Sequence, residues 1–298
     1  MGVWGDLTGK ICLVTGASSG IGRATALALA REGATLIGVG RDRVRCERSA
    51  EAIVRDSGNY KVEFWQADLS SQEQVRVIAR RLHAVYPRLD LLVNNAGARF
   101  DRHLTSSDGV EMTFALNHLG YFLLTLLLME RLRAAGRARV VNVASAAHRA
   151  CPAIDFEDLN LQRGFDGRRA YAQSKLANLL FTYELARRLE GSGITANAAA
   201  PGNVLTRFAL NNGLSSWLSH VAGSLRSGRL VGPCRAARTV LYLACAGDLA
   251  GKSGGYYFEE KEEHSSPASY DEAAAGRLWR ASLELTGLAD QSKDGRLP

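Results

Sequence analysis

The sequence predicts an α/β protein, a single doubly wound domain around a central parallel sheet of about seven strands flanked by helices. Three observations lead there. From Lys10 to about Leu205, short β-rich runs alternate with stretches of helical period. The β-rich runs are almost continuously apolar, which marks strands covered on both faces by helices. A glycine-rich turn, TGASSGIG, falls between the first strand and the first helix.

The elements follow in order. KICLVT (10–15) reads as the first strand and 21–32 as the helix that returns from it. TLIGVG (35–40), VEFWQA (62–67), LDLLVNN (89–95), ARVVNVAS (138–145) and ITANAAA (194–200) supply the next five strands. Helical periodicity covers 43–56, 71–86, 109–135 and 171–190 between them. GGYYF (254–258), after a helix at 233–246, is the candidate seventh strand. No repeat, low-complexity tract or proline-rich linker interrupts the pattern, so residues 1–298 form one domain. A cofactor half is expected over about 8–135, a catalytic and lid half over about 136–260, and a C-terminal extension over 261–298. In such a sheet, ligands collect beyond the carboxyl ends of the strands.

Composition narrows the function. The net charge is +7, yet there is no run of five basic residues and no interleaving of aromatics with them, so nucleic acid is not an expected partner. Anionic small molecules gain more directly from this charge. The longest apolar run, YFLLTLLLM (121–129), is about half of a membrane span. MGVWGDLTGK lacks the apolar core and basic flank of a signal peptide. Cys12, Cys46, Cys151, Cys234 and Cys245 are odd in number and have no metal-ligand spacing. Reduced thiols in a cytoplasmic protein, with no metal site, are the expectation.

The loops after the strands carry the chemistry. Gly16, Gly20 and Gly22 permit a tight turn, close backbone approach to a pyrophosphate and close packing of the helix on the sheet. The helix beginning there presents free N–H groups and a positive dipole end to phosphates. Gly16, Ser18, Ser19, Gly20, Ile21 and Gly22 are therefore candidate dinucleotide contacts in a Rossmann arrangement. At the tip of the second strand Arg41 precedes Asp42. An arginine suits the 2′-phosphate of NADP(H), whereas an acidic residue would bond the free ribose of NAD(H), so NADP(H) is favoured. Asp68 and Leu69 follow the third strand, where Asp68 either bonds the adenine amino group or caps the next helix. Asn95, Ala96 and Gly97 follow the fourth, small enough to let backbone approach a cofactor.

Residues 171–175, YAQSK, place Tyr171 and Lys175 one helical turn apart on one face. The pair admits two readings. Tyr171 is a surface ring beside a solvated lysine, or it is an acid/base whose pKa, ordinarily near ~10, the ammonium lowers.

Taken together, TGASSGIG, NNAG, Asn117, Ser145, YxxxK and Pro201-Gly202 resemble, in order and spacing, the short-chain dehydrogenase/reductase family over about residues 8–260. LNHLGYFLLTLLLMERL, RVVNVASAAH and SKLANLLFTYELARRL look like its retinol dehydrogenase branch, with the light-dependent protochlorophyllide reductases more distant. The resemblance implies that Tyr171 is the general acid/base and that Lys175 lowers its pKa and bonds the nicotinamide ribose. It implies further that Ser145 holds the substrate oxygen and that Asn117 holds a water in a relay to Lys175. Pro201, Gly202, Val204 and Thr206 would complete the cofactor contacts. No histidine is required; His118, beside Asn117, reads as structural.

Two segments bear on substrate. The stretch between Ser145 and Tyr171 is long enough to form a flap. After Pro201, Leu205, Phe208, Leu214, Trp217, Leu218 and Val221 fall on one apolar face, which either lids the site over a bulky apolar carbonyl or alcohol or packs against the protein body or another subunit. No hydrophobic anchor precedes the first strand, a departure from membrane-bound retinol dehydrogenases that favours a soluble reductase. A non-catalytic NADP-sensing protein and a protochlorophyllide-type C=C reductase are the alternatives. The apolar surplus of 109–135 and 171–190, notably Tyr121, Phe122, Leu126, Leu127, Leu179, Leu180 and Tyr183, predicts a homodimer or tetramer built on those helices, with a monomer possible if other segments cover them.

Overall fold

The computed structural model describes residues 5–204 and 230–288. Strands β1 (Ile11–Thr15), β2 (Thr35–Gly40), β3 (Val62–Gln66), β4 (Leu91–Asn94), β5 (Arg139–Val143), β6 (Thr195–Ala200) and β9 (Tyr256–Phe258) run parallel. The sheet has eight strands in the order β10-β9-β6-β5-β4-β1-β2-β3, one more than expected. The addition is β10 (Lys261–Glu262), antiparallel to β9 and exposed. Its two charged residues carry no apolar pattern that a sequence reading could detect. A separate parallel pair joins β7 (Asn203–Val204) to β8 (Leu230–Val231). Strand order reverses between β1 and β4, and that switch point is where ligands of such sheets bind.

Helices α1 (Gly20–Arg31), α2 (Arg43–Ser57) and α8 (Pro233–Cys245) carry apolar residues into the core on one face. Leu29 and Ala30 of α1 and Val240 and Leu243 of α8 meet Val14, Leu36 and Val93 there. The opposite face receives α3 (Gln72–Val85), α5 (Gly120–Leu127), α6 (Met129–Ala134) and α7 (Gly167–Arg188). A polar chain threads this second layer: Asn94 Nδ2 donates to Thr125 Oγ1 at 3.0 Å and Asn142 Oδ1 at 2.9 Å, and Asn142 Nδ2 donates to Thr182 Oγ1 at 2.9 Å. These fully buried side chains fix β4 and β5 against α5 and α7, immediately behind the site.

The expected helix over 109–135 is divided. It starts as α4 (Met112–Phe114), whose N-terminal N–H groups bond the Glu111 carboxylate, and continues through a π turn at Ala115–Leu119. In the turn, the Gly120 N–H reaches back five residues to the Ala115 carbonyl. Regular helix resumes as α5 and α6.

The apolar surplus of these helices is covered within the chain. Helix α9 (Glu272–Leu285) lays Trp279 against Phe122 and Phe181, with ring centres 5.0 and 5.9 Å away. Ala275 and Leu278 join Phe114, Leu176 and Leu180. The Arg188 guanidinium covers Trp279 from outside, 4.4 Å from the ring centre. Tyr121, Phe122, Leu126, Leu179, Leu180 and Tyr183 are buried and Leu127 half-buried within the chain, Leu179 and Tyr183 against the sheet and Phe122 and Leu180 beside α9. Among the described residues no helix is long and apolar enough to cross a membrane.

Candidate active site

Two cavities meet at the switch point, sharing Ile21, Asn95 and Gly97 in their walls. The first, of about 220 Å³, lies beyond β1, β2 and β3. Its walls include Gly16, Ser18, Ser19, Gly20, Arg41, Asp68, Leu69 and Ala96, which brings together most of the expected cofactor contacts. Gly16 has φ +66°, and a Cβ there would stand 2.8 Å from the Asn95 side chain; one at Gly22 would collide with the Gly16 carbonyl. The Asn95 amide donates to the Thr15 carbonyl at 2.8 Å, tying the ends of β4 and β1 together across this cradle. Asp68 Oδ1 accepts from the Ser70 N–H at 3.0 Å and the Ser70 hydroxyl at 2.7 Å, while Ser71, not Asp68, caps α3.

Asp42 is the N-cap of α2, accepting the Arg45 N–H at 2.8 Å. Arg41 and Arg45 both line the cavity. Sequence reasoning missed Arg45, although a basic residue four positions beyond Arg41, in the first turn of the next helix, was the available signal. Its Nε is out of contact with solvent and has no hydrogen-bond partner among the described residues. A glycine-lined cradle beside two guanidinium groups, with one orphaned donor, fits a phosphorylated dinucleotide.

The second cavity, of about 440 Å³, lies beyond β5 and β6 and contains Ser145, Tyr171, Lys175, Pro201, Gly202 and Val204 in its walls. Ser145 ends the strand as the N-cap of a 3-10 turn over Ala146–Ala150, its hydroxyl accepting the Ala147 N–H at 3.2 Å. His148 anchors it: Nδ1 lies 2.7 Å from the Ser145 carbonyl, and Nε2 accepts the Ser266 N–H at 3.0 Å. An acceptor at Nε2 makes Nδ1 the protonated nitrogen of a neutral ring, in keeping with burial lowering the pKa of His148.

Tyr171 and Lys175 stand on one face of α7, as the spacing predicted. Burial pushes the phenol up to about 12, against opposing effects from a hydrogen bond to the Ser145 side chain and the charge of Arg99. Lys175 is buried, its Nζ donating to the Val143 carbonyl at 2.8 Å, and burial lowers its pKa to about 7. The phenol is thus raised rather than lowered as expected from Lys175: desolvation dominates, and the opposing influences come from Ser145 and Arg99.

Asn117, in the π turn, is fully buried. Its Oδ1 accepts the Ala98 N–H at 2.9 Å, and its Nδ2 donates to the Ala98 carbonyl and the Ser174 hydroxyl, both at 2.9 Å. The side chain clamps the chain just after NNAG to α7. A Cβ on Gly97 would stand 3.1 Å from Asn117 Oδ1 and 3.8 Å from Lys175 Nζ, so the glycine leaves these two groups facing a common space.

The segment before Tyr171, expected as a flap, is anchored to the protein body in its middle, while Ala146, Ala147, Ala150 and Arg168 from its two ends line the cavity. Cys151 and Ile154 are buried against Phe114 and Leu176, and the Asp155 N–H donates to Gln173 at 3.1 Å. Thr206 and the apolar face running from Leu205 to Val221 lie outside the described residues. His118 is structural as expected, fully buried among Phe114, Phe122 and Phe181 with Nε2 2.9 Å from the Ser282 hydroxyl. Among the described residues no group of three or more His, Cys, Asp or Glu side chains could hold a metal.

A parallel sheet with a glycine cradle at its switch point, opening to a serine, tyrosine and lysine, defines a nicotinamide-dinucleotide oxidoreductase fold and site. The chain belongs to the short-chain dehydrogenase family, whose model matches residues 10–215. Within it the chain is retinol dehydrogenase-like. It is 43% identical over 285 residues to human retinol dehydrogenase 13, covering 95% of this chain and 86% of that protein. It is 41% identical over 283 residues to mouse retinol dehydrogenase 12, covering 95% and 88%. Among solved structures, an uncharacterised protein from Mycobacterium paratuberculosis superposes with a TM-score of 0.77 at 32% identity, covering 99% of this chain and 97% of that one. The Pseudomonas aeruginosa RhlG/NADP active-site complex does so with a TM-score of 0.67 at 31% identity, covering 86% and 96%.

Proposed function

We propose that the protein is an NADP(H)-dependent oxidoreductase acting on a bulky, largely apolar carbonyl or alcohol, with Tyr171 as general acid/base. The observation that carries this reading is the convergence of Ser145, Tyr171 and Lys175 on one cavity that shares a wall with the glycine cradle. The nicotinamide, when bound, supplies or receives the hydride. Tyr171, a protonated phenol at neutral pH, donates its proton to the carbonyl oxygen on reduction and recovers it on oxidation. Ser145 donates a hydrogen bond to the same oxygen as charge develops on it. Lys175, held by Val143, bonds the cofactor ribose, and Asn117 keeps the Ala98 backbone and α7 in register around it.

Preference for NADP(H) is supported by Arg41 and Arg45 in the cradle wall and by the engagement of Asp42 as a helix cap. The RhlG complex carries NADP in its own site. The five cysteines, all free thiols, support a cytoplasmic setting. A carbonyl panel with NADPH, read by absorbance and spanning lipid, steroid, retinoid and quinone substrates, tests the reading. Reduction that collapses in Tyr171→Phe is the expected result; near-normal turnover in that variant overturns the assignment.

A further inference from the structure

We propose that the substrate cavity selects a carbonyl compound bearing an anionic group, such as a carboxylate or sulfate, held by Arg99 and Arg168. The inference rests on the reading of this cavity as the substrate site. Three basic side chains, Arg99, Arg168 and Lys175, stand in its wall, with no carboxylate among the described residues that line it. Lys175 lies at the buried end, bonded to Val143. The charge that an incoming substrate meets is therefore set by Arg168 and by Arg99, the latter shared with Asp101. Much of the remaining wall is small and apolar, including Ala144, Ala146, Ala147 and Ala150.

The two arginines come from separate elements brought together by one close contact. Arg99 follows the Ala98 backbone that Asn117 clamps, and its side chain is only 19% exposed. Its Nε donates to Asp101 at 3.0 Å in an ion pair, which fixes the plane of the guanidinium and offsets part of its charge. Its charge is felt at the Tyr171 phenol. Arg168 sits in the first turn of α7, three residues before Tyr171 and so ~4.5 Å along the helix axis from it. Between the two lies Gly167, where a Cβ would collide with the Phe100 carbonyl and stand 2.9 Å from the Asp101 Cα. The absent side chain lets the start of α7 press on the chain that carries Arg99. Neighbouring Arg169 is paired with Asp155 at 2.9 Å, whereas Arg168 forms no ion pair among the described residues.

A guanidinium offers a planar fork that matches carboxylate and sulfate oxygens, and two of them on one rim favour an anion over a neutral polar group. The preferred substrate is then amphipathic. Its carbonyl meets Ser145 and Tyr171, its apolar body lies along the alanine wall, and its anionic group meets the arginines.

The test has two arms on the full chain. Calorimetry in the presence of NADP(H) measures binding of a long-chain carboxylate, an alkyl sulfate, and the matching methyl ester and alcohol. Turnover compares ω-oxo acids of rising chain length with their methyl esters. The anionic members should be favoured by about 10-fold or more, the size of one charge-assisted contact. That ratio should fall toward one in Arg168→Met and Arg99→Met, and reverse in Arg168→Glu. Equal binding of acid and ester, a ratio that survives in the variants, or variants that lose NADP(H) affinity instead would overturn the proposal. Anion binding that depends on the arginines without any carbonyl reduction would leave the anion site standing and remove the oxidoreductase reading. Carbonyl reduction without anion preference does the reverse.

Discussion

The ammonium of Lys175 donates to the Val143 carbonyl at 2.8 Å and stands 5.7 Å from the ring centre of Tyr171. It ties the end of β5 to α7, and burial moves the two groups in opposite directions, the lysine to about 7 and the phenol to about 12. Carbonyl reduction needs the phenol protonated, a condition met below its pKa. Alcohol oxidation needs the phenolate, whose fraction rises about tenfold per pH unit below that pKa. Oxidation should therefore accelerate with pH while reduction does not fall on account of Tyr171 through the neutral range. Rate profiles in both directions check this; an oxidation rate flat from about pH 6 to about pH 10 contradicts it.

Lys175→Met should damage rate and cofactor affinity together, because one ammonium is assigned both to the ribose and to the geometry around Val143. Tyr171→Phe should remove turnover and leave cofactor affinity largely intact. Titration of each variant with NADPH, beside its rate, separates the two roles.

The proposed preference for NADP(H) places cofactor choice on Arg41 and Arg45 in the wall of the first cavity. Arg41→Ala should weaken NADP(H) by roughly 10- to 150-fold, the span of a charge-assisted contact worth about 1.5–3 kcal/mol, with a much smaller effect on NAD(H). Arg45→Ala should act in the same direction. Calorimetry giving equal losses for both cofactors would remove these residues from the 2′-phosphate.

His118 makes stability depend on acid. Burial lowers its pKa from 6.5 to about 3, opposed by the Asn178 amide, so the folded protein holds it neutral. Below pH 6.5 the unfolded chain takes up a proton that the folded chain refuses. Its contribution is complete above 6.5 and is lost as pH falls toward 3, at up to about 1.4 kcal/mol per pH unit. Urea melts across that window should show a steep acid limb, and His118→Gln should flatten it even if the variant is less stable at neutral pH.

Helix α9 covers part of the α5–α7 face, and the state of association tests what that cover does. With Trp279 seated on Phe122 and Phe181, light scattering at micromolar concentration should give a mass near one 32.2 kDa chain. Trp279→Ala should cost about 3–5 kcal/mol through the cavity it leaves. Trp279→Asp should also promote association by uncovering the aromatic patch. A wild-type dimer that survives dilution would mean that a different face pairs the subunits.

Much of the fold was legible because its signals are local and dense. Parallel strands buried on both faces are written as continuous apolar runs, and the glycines that bend the chain around a cofactor sit within one heptapeptide, Gly16 to Gly22. Tyr171 and Lys175 were readable for the same reason, one helical turn being a fixed spacing. What escaped depends on distance in sequence. Nothing near Phe122 announces that Trp279 will cover it, and nothing near Arg99 announces that Gly167 will bring Arg168 to the same rim. The π turn also escaped, since ALNHL is an acceptable α-helical sequence. The environment of Tyr171 differs in direction from the expectation: spacing reveals a neighbouring lysine but not the desolvation that raises the phenol.

The π turn at Ala115–Leu119 makes the site sensitive to the number of residues as well as to their identity. A loop closed from Gly120 back to Ala115 holds one residue more than the regular helix needs. Removing a single residue there would let the segment close as ordinary α-helix, with Phe122 and Leu123 still able to face the core. The change would instead fall within the turn itself, which would lose the extra backbone that sets the aim of its side chains. Asn117 would swing away from Ala98 and Ser174 with its chemistry unaltered. The amide clamp is thus built from a surplus of backbone, and a deletion scan through the turn would separate the asparagine's presence from its aim.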